Sequence, residues 1–164
     1  RLQNTLPIAD IDPSQFGVIY FTGGHGVMWD FPNNPDLRRV AETIYNQGGI
    51  VSAVCHGVAG LLDLKDEKGQ LIIKGKNITG FSDREELFSG MKSQVPFVLE
   101  DKLVSQGARY RKGWLPFTSF AITDGRLVTG QNPQSPKAVA EAVVAVLSGN
   151  NVARCPLKQF PPAE

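Results

Sequence analysis

Phe16-Gly-Val-Ile-Tyr-Phe-Thr22 runs into Gly23-Gly24-His25-Gly26, and Ile50-Val-Ser-Ala-Val54 runs into Cys55-His56-Gly57. Both runs are apolar without alternation, the pattern of strands buried on both faces in a parallel sheet. The stretch between them reads as a helix. Asn33-Asn34-Pro35-Asp36 supplies an Asn cap, a proline at the first helical position and an acid in the first turn. Leu37, Val40, Ala41 and Ile44 then fall on one apolar face, and Gly48-Gly49 closes the element. After Cys55 a short apolar helix is expected through Leu64. Strand, helix, strand, helix at this spacing predicts an α/β domain, a doubly wound and mainly parallel sheet with helices on both faces.

Outward from these units the pattern becomes finer. Leu71-Ile72-Ile73 and Asn77-Ile78-Thr79 read as short strands around Gly75. Ser82-Asp83-Arg84-Glu85 is a capping box that opens a helix. Pro96 to Gln106 reads as a helix ended by Gly107, and Ala108-Arg109-Tyr110 as a strand. Phe120-Ala121-Ile122 and Leu127-Val128-Thr129 flank Thr123-Asp124-Gly125-Arg126, a hairpin signal. Pro136 to Leu147 is the last helix, with Val139, Val143, Val146 and Leu147 expected on its core face. Residues 1–15 are linker-like, 16–148 form the domain, and 149–164 read as a proline-containing tail.

Composition narrows the function classes. A chain of 164 residues is about one domain, and 41% hydrophobic content suffices for a core. With 17 basic against 16 acidic residues there is no basic footprint for nucleic acid. The longest apolar candidate, Ala138 to Leu147, is short of the ~18 residues of a membrane helix and is interrupted by Glu141. Cys55 and Cys155 lie far apart without a CxxC pair, so neither a disulfide framework nor a zinc site is expected. The absence of a targeting signal leads to the expectation of a soluble cytoplasmic protein.

Cys55 carries the strongest chemical signal. A nucleophile elbow needs a sharp strand-to-helix turn that lifts one side chain above the carboxyl edge of the sheet, and Cys55-His56-Gly57 has that layout. A helix N-terminus behind it favours thiolate over thiol, and Gly57 lets the backbone turn close to the nucleophile. The competing reading is an inert buried cysteine. His56 either holds a proton near neutral pH or caps the helix. A carboxylate able to orient it would favour the first role, and Asp83, Glu85 and Glu86 are the candidates. The backbone amides of Gly24 and His56 form a prospective oxyanion hole, with His25 beside the substrate. Gly23-Gly24-His25-Gly26 is not GxGxxG, so no dinucleotide is expected. His25 has no second His or Cys at ligand spacing, so no metal is expected. Trp29, Phe31 and Trp114 are either pocket walls or core, and Cys155 reads as a bystander.

Ala53-Val-Cys-His-Gly57, with Gly23-Gly-His-Gly26 and Trp29-Asp-Phe-Pro32 upstream, resembles the ThiJ/PfpI superfamily. Ile78-Thr-Gly-Phe-Ser-Asp-Arg-Glu-Glu86 and Asp124-Gly-Arg-Leu-Val-Thr-Gly-Gln-Asn-Pro133 look like its heat-shock chaperone branch, which contains glyoxalase III enzymes. The resemblance runs from about Phe16 to Leu147. It implies a flavodoxin-like sheet related to class I glutamine amidotransferases, Cys55 as nucleophile, His56 beside it, and an acid best matched by Glu86. Val58 stands where the family usually has proline. The family also opens with two βα units and a glutamate that shuttles protons at the cysteine. Such units take about 50–70 residues, so an N-terminal segment carrying that glutamate is expected to lie outside this chain.

The resemblance implies a cofactor-free glyoxalase that converts 2-oxoaldehydes such as methylglyoxal to 2-hydroxy acids through a Cys55 hemithioacetal, working as a homodimer. The alternatives are a holding chaperone or protein deglycase of the same family, and a cysteine peptidase or amidase. The peptidase ranks last because His56, tethered beside its own nucleophile, is poorly placed to protonate an amine leaving group. Phe16 to Thr22 is apolar at nearly every position, so a second strand is expected on its open side.

Overall fold

β1 (Val18–Phe21) and β2 (Ile50–Val54) lie side by side in parallel, with Val18 opposite Ile50 and Phe21 opposite Ala53. β2 is buried at every position, which accounts for its lack of alternation; its one polar residue, Ser52, donates its hydroxyl to the Ile19 carbonyl. The computed structural model describes residues 5–149. Within it the main sheet has four strands in the order β1-β2-β6-β5, where β5 is Ala121–Asp124 and β6 is Leu127–Gly130. β2 pairs with β6 in parallel and β5 closes on β6 as an antiparallel hairpin, so the expected doubly wound, mainly parallel sheet is present.

The helices follow their sequence signals with a few departures. α1 (Val27–Asp30) is a single turn that periodicity did not reveal. α2 (Pro35–Asn46) starts at the expected cap, where the Asn34 side chain accepts hydrogen bonds from Asp36 and Leu37. It buries Val40, Ala41 and Ile44 and packs on β1 and β2. Residues 5–15 lie along α2, held by the Arg39 guanidinium, which donates to the carbonyls of Ile8, Ala9 and Ile11. α3 (Asp83–Ser89) opens with the full capping box between Ser82 and Glu85. α4 (Leu99–Ser105) begins later than expected, since residues from Pro96 to Val98 stay extended or turned before it. α5 (Pro136–Leu147) packs on β2, β5 and β6.

Three expectations are corrected. Leu71-Ile72-Ile73 is not a strand. Leu71 makes one isolated antiparallel bridge to Lys65, and Ile72 and Ile73 are buried in turns, so their apolarity reflects core burial alone. The short helix after Cys55 is a 3-10 helix that ends at Leu61. Leu147 does not face the core: it is 60% exposed at the C-terminal end of α5, while Val139 is fully buried. Asn77–Ile78 is β3 and pairs in parallel with β4 (Arg109–Tyr110) as a separate two-stranded sheet. Asp124 joins the two sheets by accepting from the Asn77 backbone and from Lys76 Nζ.

β1 occupies the edge of the main sheet among the described residues, with β2 its one partner there. Tyr20 and Phe16 are exposed beside it. The residues from 150 onward, including the expected tail and Cys155, lie outside the described residues.

Candidate active site

The carboxyl ends of β1 and β2 deliver the Gly23–Gly26 loop and Cys55 to the same edge. Cys55 has φ 59°, a left-handed conformation rare for a residue with a side chain, and holding it there costs about 1–3 kcal/mol. The chain leaves β2 by this turn directly into the 3-10 helix Cys55–Leu61. Gly57 makes the turn sterically feasible, because a Cβ at that position would strike the carbonyls of Phe21 and Thr22 at the end of β1. Gly23 is nearly as constrained, its hypothetical Cβ lying 3.0 Å from Cys55 Cβ.

Cys55 Sγ lies 3.4 Å from His56 Nδ1, and His56 Nε2 lies 2.6 Å from Glu86 Oε2. All three groups are buried. Glu86 arrives from the first turn of α3. Of the three acids considered, it alone reaches the imidazole: Asp83 pairs with Lys92, while Glu85 accepts from Ser82, the Phe117 N–H and Asn132 Nδ2. The Phe81 ring covers His56 with centroids 4.2 Å apart. Phe81 is fixed in turn by its own N–H, which donates to the Cys55 carbonyl at 3.3 Å. His25 completes the cluster. Its Nε2 lies 3.0 Å from Glu86 Oε1 and its ring centroid 4.1 Å from that of His56. One carboxylate therefore accepts from two imidazoles, one oxygen for each.

Burial dominates the electrostatics. It pushes the Cys55 thiol up to about 11, against a smaller downward pull from the His56 and Gly24 backbone N–H groups. The pull expected from the helix start, favouring thiolate over thiol, is present in these N–H groups but is outweighed by burial. A short 3-10 segment in a buried setting offers too little positive potential to offset desolvation. Burial also lowers His56 below its ordinary value, with Glu86 opposing. Burial thus favours the neutral form of both groups. The same two N–H groups that face Cys55, from Gly24 and His56, are the donors expected for an oxyanion.

His25 Nε2, His56 Nε2 and a Glu86 oxygen lie within 4.8 Å of one another, a set of donor types that a zinc ion accepts. Linear spacing did not reveal this convergence, since it joins three separate segments. Both histidines already use Nε2 to satisfy Glu86, so the cluster is complete as a hydrogen-bonded triad. Phe31 is partly buried against the core, edge-on to Phe21 with centroids 5.4 Å apart, whereas Trp29 and Trp114 are exposed. Two broad surface concavities lie elsewhere, one along α2 and one around Gly17, Gly48 and Arg126. Neither is lined by Cys55, and the convergence of reactive groups marks the site more firmly than surface shape.

The model of the DJ-1/PfpI family matches residues 1–146. The chain belongs to the DJ-1/PfpI family. Among its curated relatives, Glyoxalase 3 of Candida albicans is 42% identical over 154 residues, covering 91% of this chain and 65% of that protein. Glutathione-independent glyoxalase HSP31 of Saccharomyces cerevisiae is 39% identical over 136 residues, covering 80% of this chain and 57% of that protein. The crystal structure of glyoxalase III from Candida albicans superimposes with a TM-score of 0.77 at 42% identity, over 84% of this chain and 60% of that one. The Francisella tularensis Rapid Encystment Protein gives 0.82 at 43% identity, over 85% of this chain and 62% of that one. This DJ-1/PfpI chain thus spans about three fifths of the length of the relatives it matches. No helix among the described residues is long and apolar enough to cross a membrane.

Proposed function

We propose that this chain is the nucleophile-bearing part of a glutathione-independent glyoxalase that converts 2-oxoaldehydes such as methylglyoxal to 2-hydroxy acids. The observation that supports it most is the Cys55–His56–Glu86 line, with the cysteine held at φ 59° above the sheet edge. Similarity to relatives named as glyoxalases supplies the reaction class.

Each residue has a step. His56 Nδ1 accepts the thiol proton as Cys55 Sγ adds to the aldehyde carbon, and Glu86 supports the imidazolium that forms. The Gly24 and His56 N–H groups hold the oxygen of the resulting hemithioacetal. A base removes the former aldehydic proton, giving an enediol, and a proton returns to the neighbouring carbon, leaving a thioester on Cys55. Water then releases the 2-hydroxy acid and restores the thiol. Neutral reactants suit a neutral resting thiol, because charge need form only when substrate is present to use it.

The base that works on the carbon-bound proton belongs, in this reading, to a glutamate in a segment preceding this chain. The open side of β1, with Phe16 and Tyr20 exposed beside it, offers a place for a strand of that segment. The active unit is then the longer polypeptide, as a homodimer. The reading calls for no metal or cofactor.

A holding-chaperone role is the second reading, favoured by the exposed apolar side chains Leu87, Phe88, Trp114 and Leu115. Cys55→Ser separates the two. In the longer chain, glyoxalase activity without glutathione should be abolished by the substitution, and suppression of client aggregation should persist. Undiminished dicarbonyl turnover by Cys55→Ser would overturn the first reading.

A further inference from the structure

Glu86 orients two imidazoles, and the chemistry described above uses one of them. His56 serves the thiol through Nδ1 while its Nε2 is held by Glu86. His25 is held by the same carboxylate through the same ring nitrogen, Nε2, at 3.0 Å. A neutral imidazole that donates from Nε2 leaves Nδ1 as an acceptor, and His25 Nδ1 has no hydrogen-bond partner among the described residues. The two rings lie 4.1 Å apart, and His25 follows Gly24, whose N–H faces Cys55. The rings differ in access. The His56 side chain is 1% exposed and that of His25 is 32% exposed, so His25 is the imidazole of the pair that meets water.

We infer that His25, oriented by Glu86, is the general base for the hydrolytic half-reaction, taking a proton from the water that cleaves the acyl group from Cys55. The inference rests on Cys55 being the nucleophile of the proposed function. In this step the water oxygen bonds to the thioester carbon as one of its protons moves to His25 Nδ1. The carbon–sulfur bond then breaks and the thiolate leaves, to be reprotonated by His56. His25 gives its proton to solvent on the open side. This disposal is required by stoichiometry, since a 2-oxoaldehyde and water yield a 2-hydroxy carboxylate and one proton. Glu86 therefore supports two bases in succession, a buried one for the thiol and an accessible one for water.

A thioester made independently of any dicarbonyl isolates the step. p-Nitrophenyl acetate acylates a reactive cysteine with release of nitrophenolate, and water then deacylates it. In the longer chain, the wild type should give a burst of about one nitrophenolate per molecule followed by steady turnover. His25→Ala and His25→Gln should keep the burst but lower the steady rate about 100-fold, with acetyl-Cys55 accumulating in the intact mass. Added imidazole should restore His25→Ala. The glutamine can still donate to Glu86 but has no basic nitrogen, so it should remain slow. Steady turnover within twofold of wild type in either variant, or burst and steady rate falling together, would overturn the inference. No burst in the wild type would contradict the Cys55 nucleophile and this inference with it. A normal burst without methylglyoxal turnover would contradict the glyoxalase reading alone.

Discussion

Glu85 and Glu86 are consecutive in the first turn of α3 and both are buried, yet they serve different neighbours. Glu85 accepts from Ser82 at its own helix start, from the Phe117 N–H at 2.8 Å and from Asn132 at 2.9 Å. Glu86 accepts from His56 and His25. One carboxylate ties α3 to the loop before β5, and the other faces the chemistry. Substituting each by glutamine should separate the roles. Glu86→Gln should lower glyoxalase turnover about 100-fold or more in the protein that remains folded. Glu85→Gln should destabilise the fold by about 1.5–3 kcal/mol, the range for a lost hydrogen bond to a charged group.

Acid should lower the stability of the protein in two windows. Burial lowers His56 below its ordinary 6.5, so the unfolded chain takes up that proton first and stability falls as pH drops below 6.5. Burial raises Glu85, but the hydrogen bonds from Phe117, Asn132 and Ser82 outweigh it and leave the group below its ordinary 4.5. Its contribution is therefore complete above pH 4.5 and is lost as pH falls through the lower folded value. Urea midpoints measured between pH 7 and 3 should decline in both windows, and Glu85→Gln should flatten the lower one. A stability that rises on acidification from pH 7 would contradict the assignment.

Alkylation of Cys55 should report the raised thiol directly. With the group pushed up to about 11, its iodoacetamide rate in this chain should be low at neutral pH and climb through pH 10. A plateau reached by pH 8 would mean that the amides of Gly24 and His56 outweigh burial.

Gly57→Ala should cost about 1–3 kcal/mol through overpacking, because the new methyl meets the carbonyls of Phe21 and Thr22. It should also lower activity beyond the loss of folded protein, by shifting Cys55. Gly24→Ala offers a contrast: its Cβ meets no neighbour within 4 Å, so the penalty there is the strain of φ 117°.

Much of this was legible in the chain itself. Both apolar runs marked strands, but only β2 is buried on both faces, where a strand has no reason to alternate. β1 is an edge strand among the described residues, half-buried at Val18 and Ile19 and exposed at Tyr20. The Asn34 and Ser82 caps marked α2 and α3 because capping is local chemistry. Leu71-Ile72-Ile73 misled because burial, which those residues share with strands, requires no strand geometry. The electrostatics of Cys55 was not legible, since the cost of desolvation depends on what covers the sulfur. The His25–Glu86 contact was equally hidden, for it joins a loop after β1 to a helix after β3. A histidine placed at the carboxyl edge by Gly23-Gly24-His25-Gly26 was the signal that it stood near the chemistry.

The most direct test of the central claim is the proton NMR spectrum of methylglyoxal incubated in D2O, without glutathione, with the longer chain and with its Cys55→Ser variant. The account predicts lactate from the wild type, deuterated at the carbon that bears the hydroxyl because the proton passes through a base, and none from the variant. Lactate formed at an unchanged rate by Cys55→Ser, or no lactate from the wild type, would contradict it.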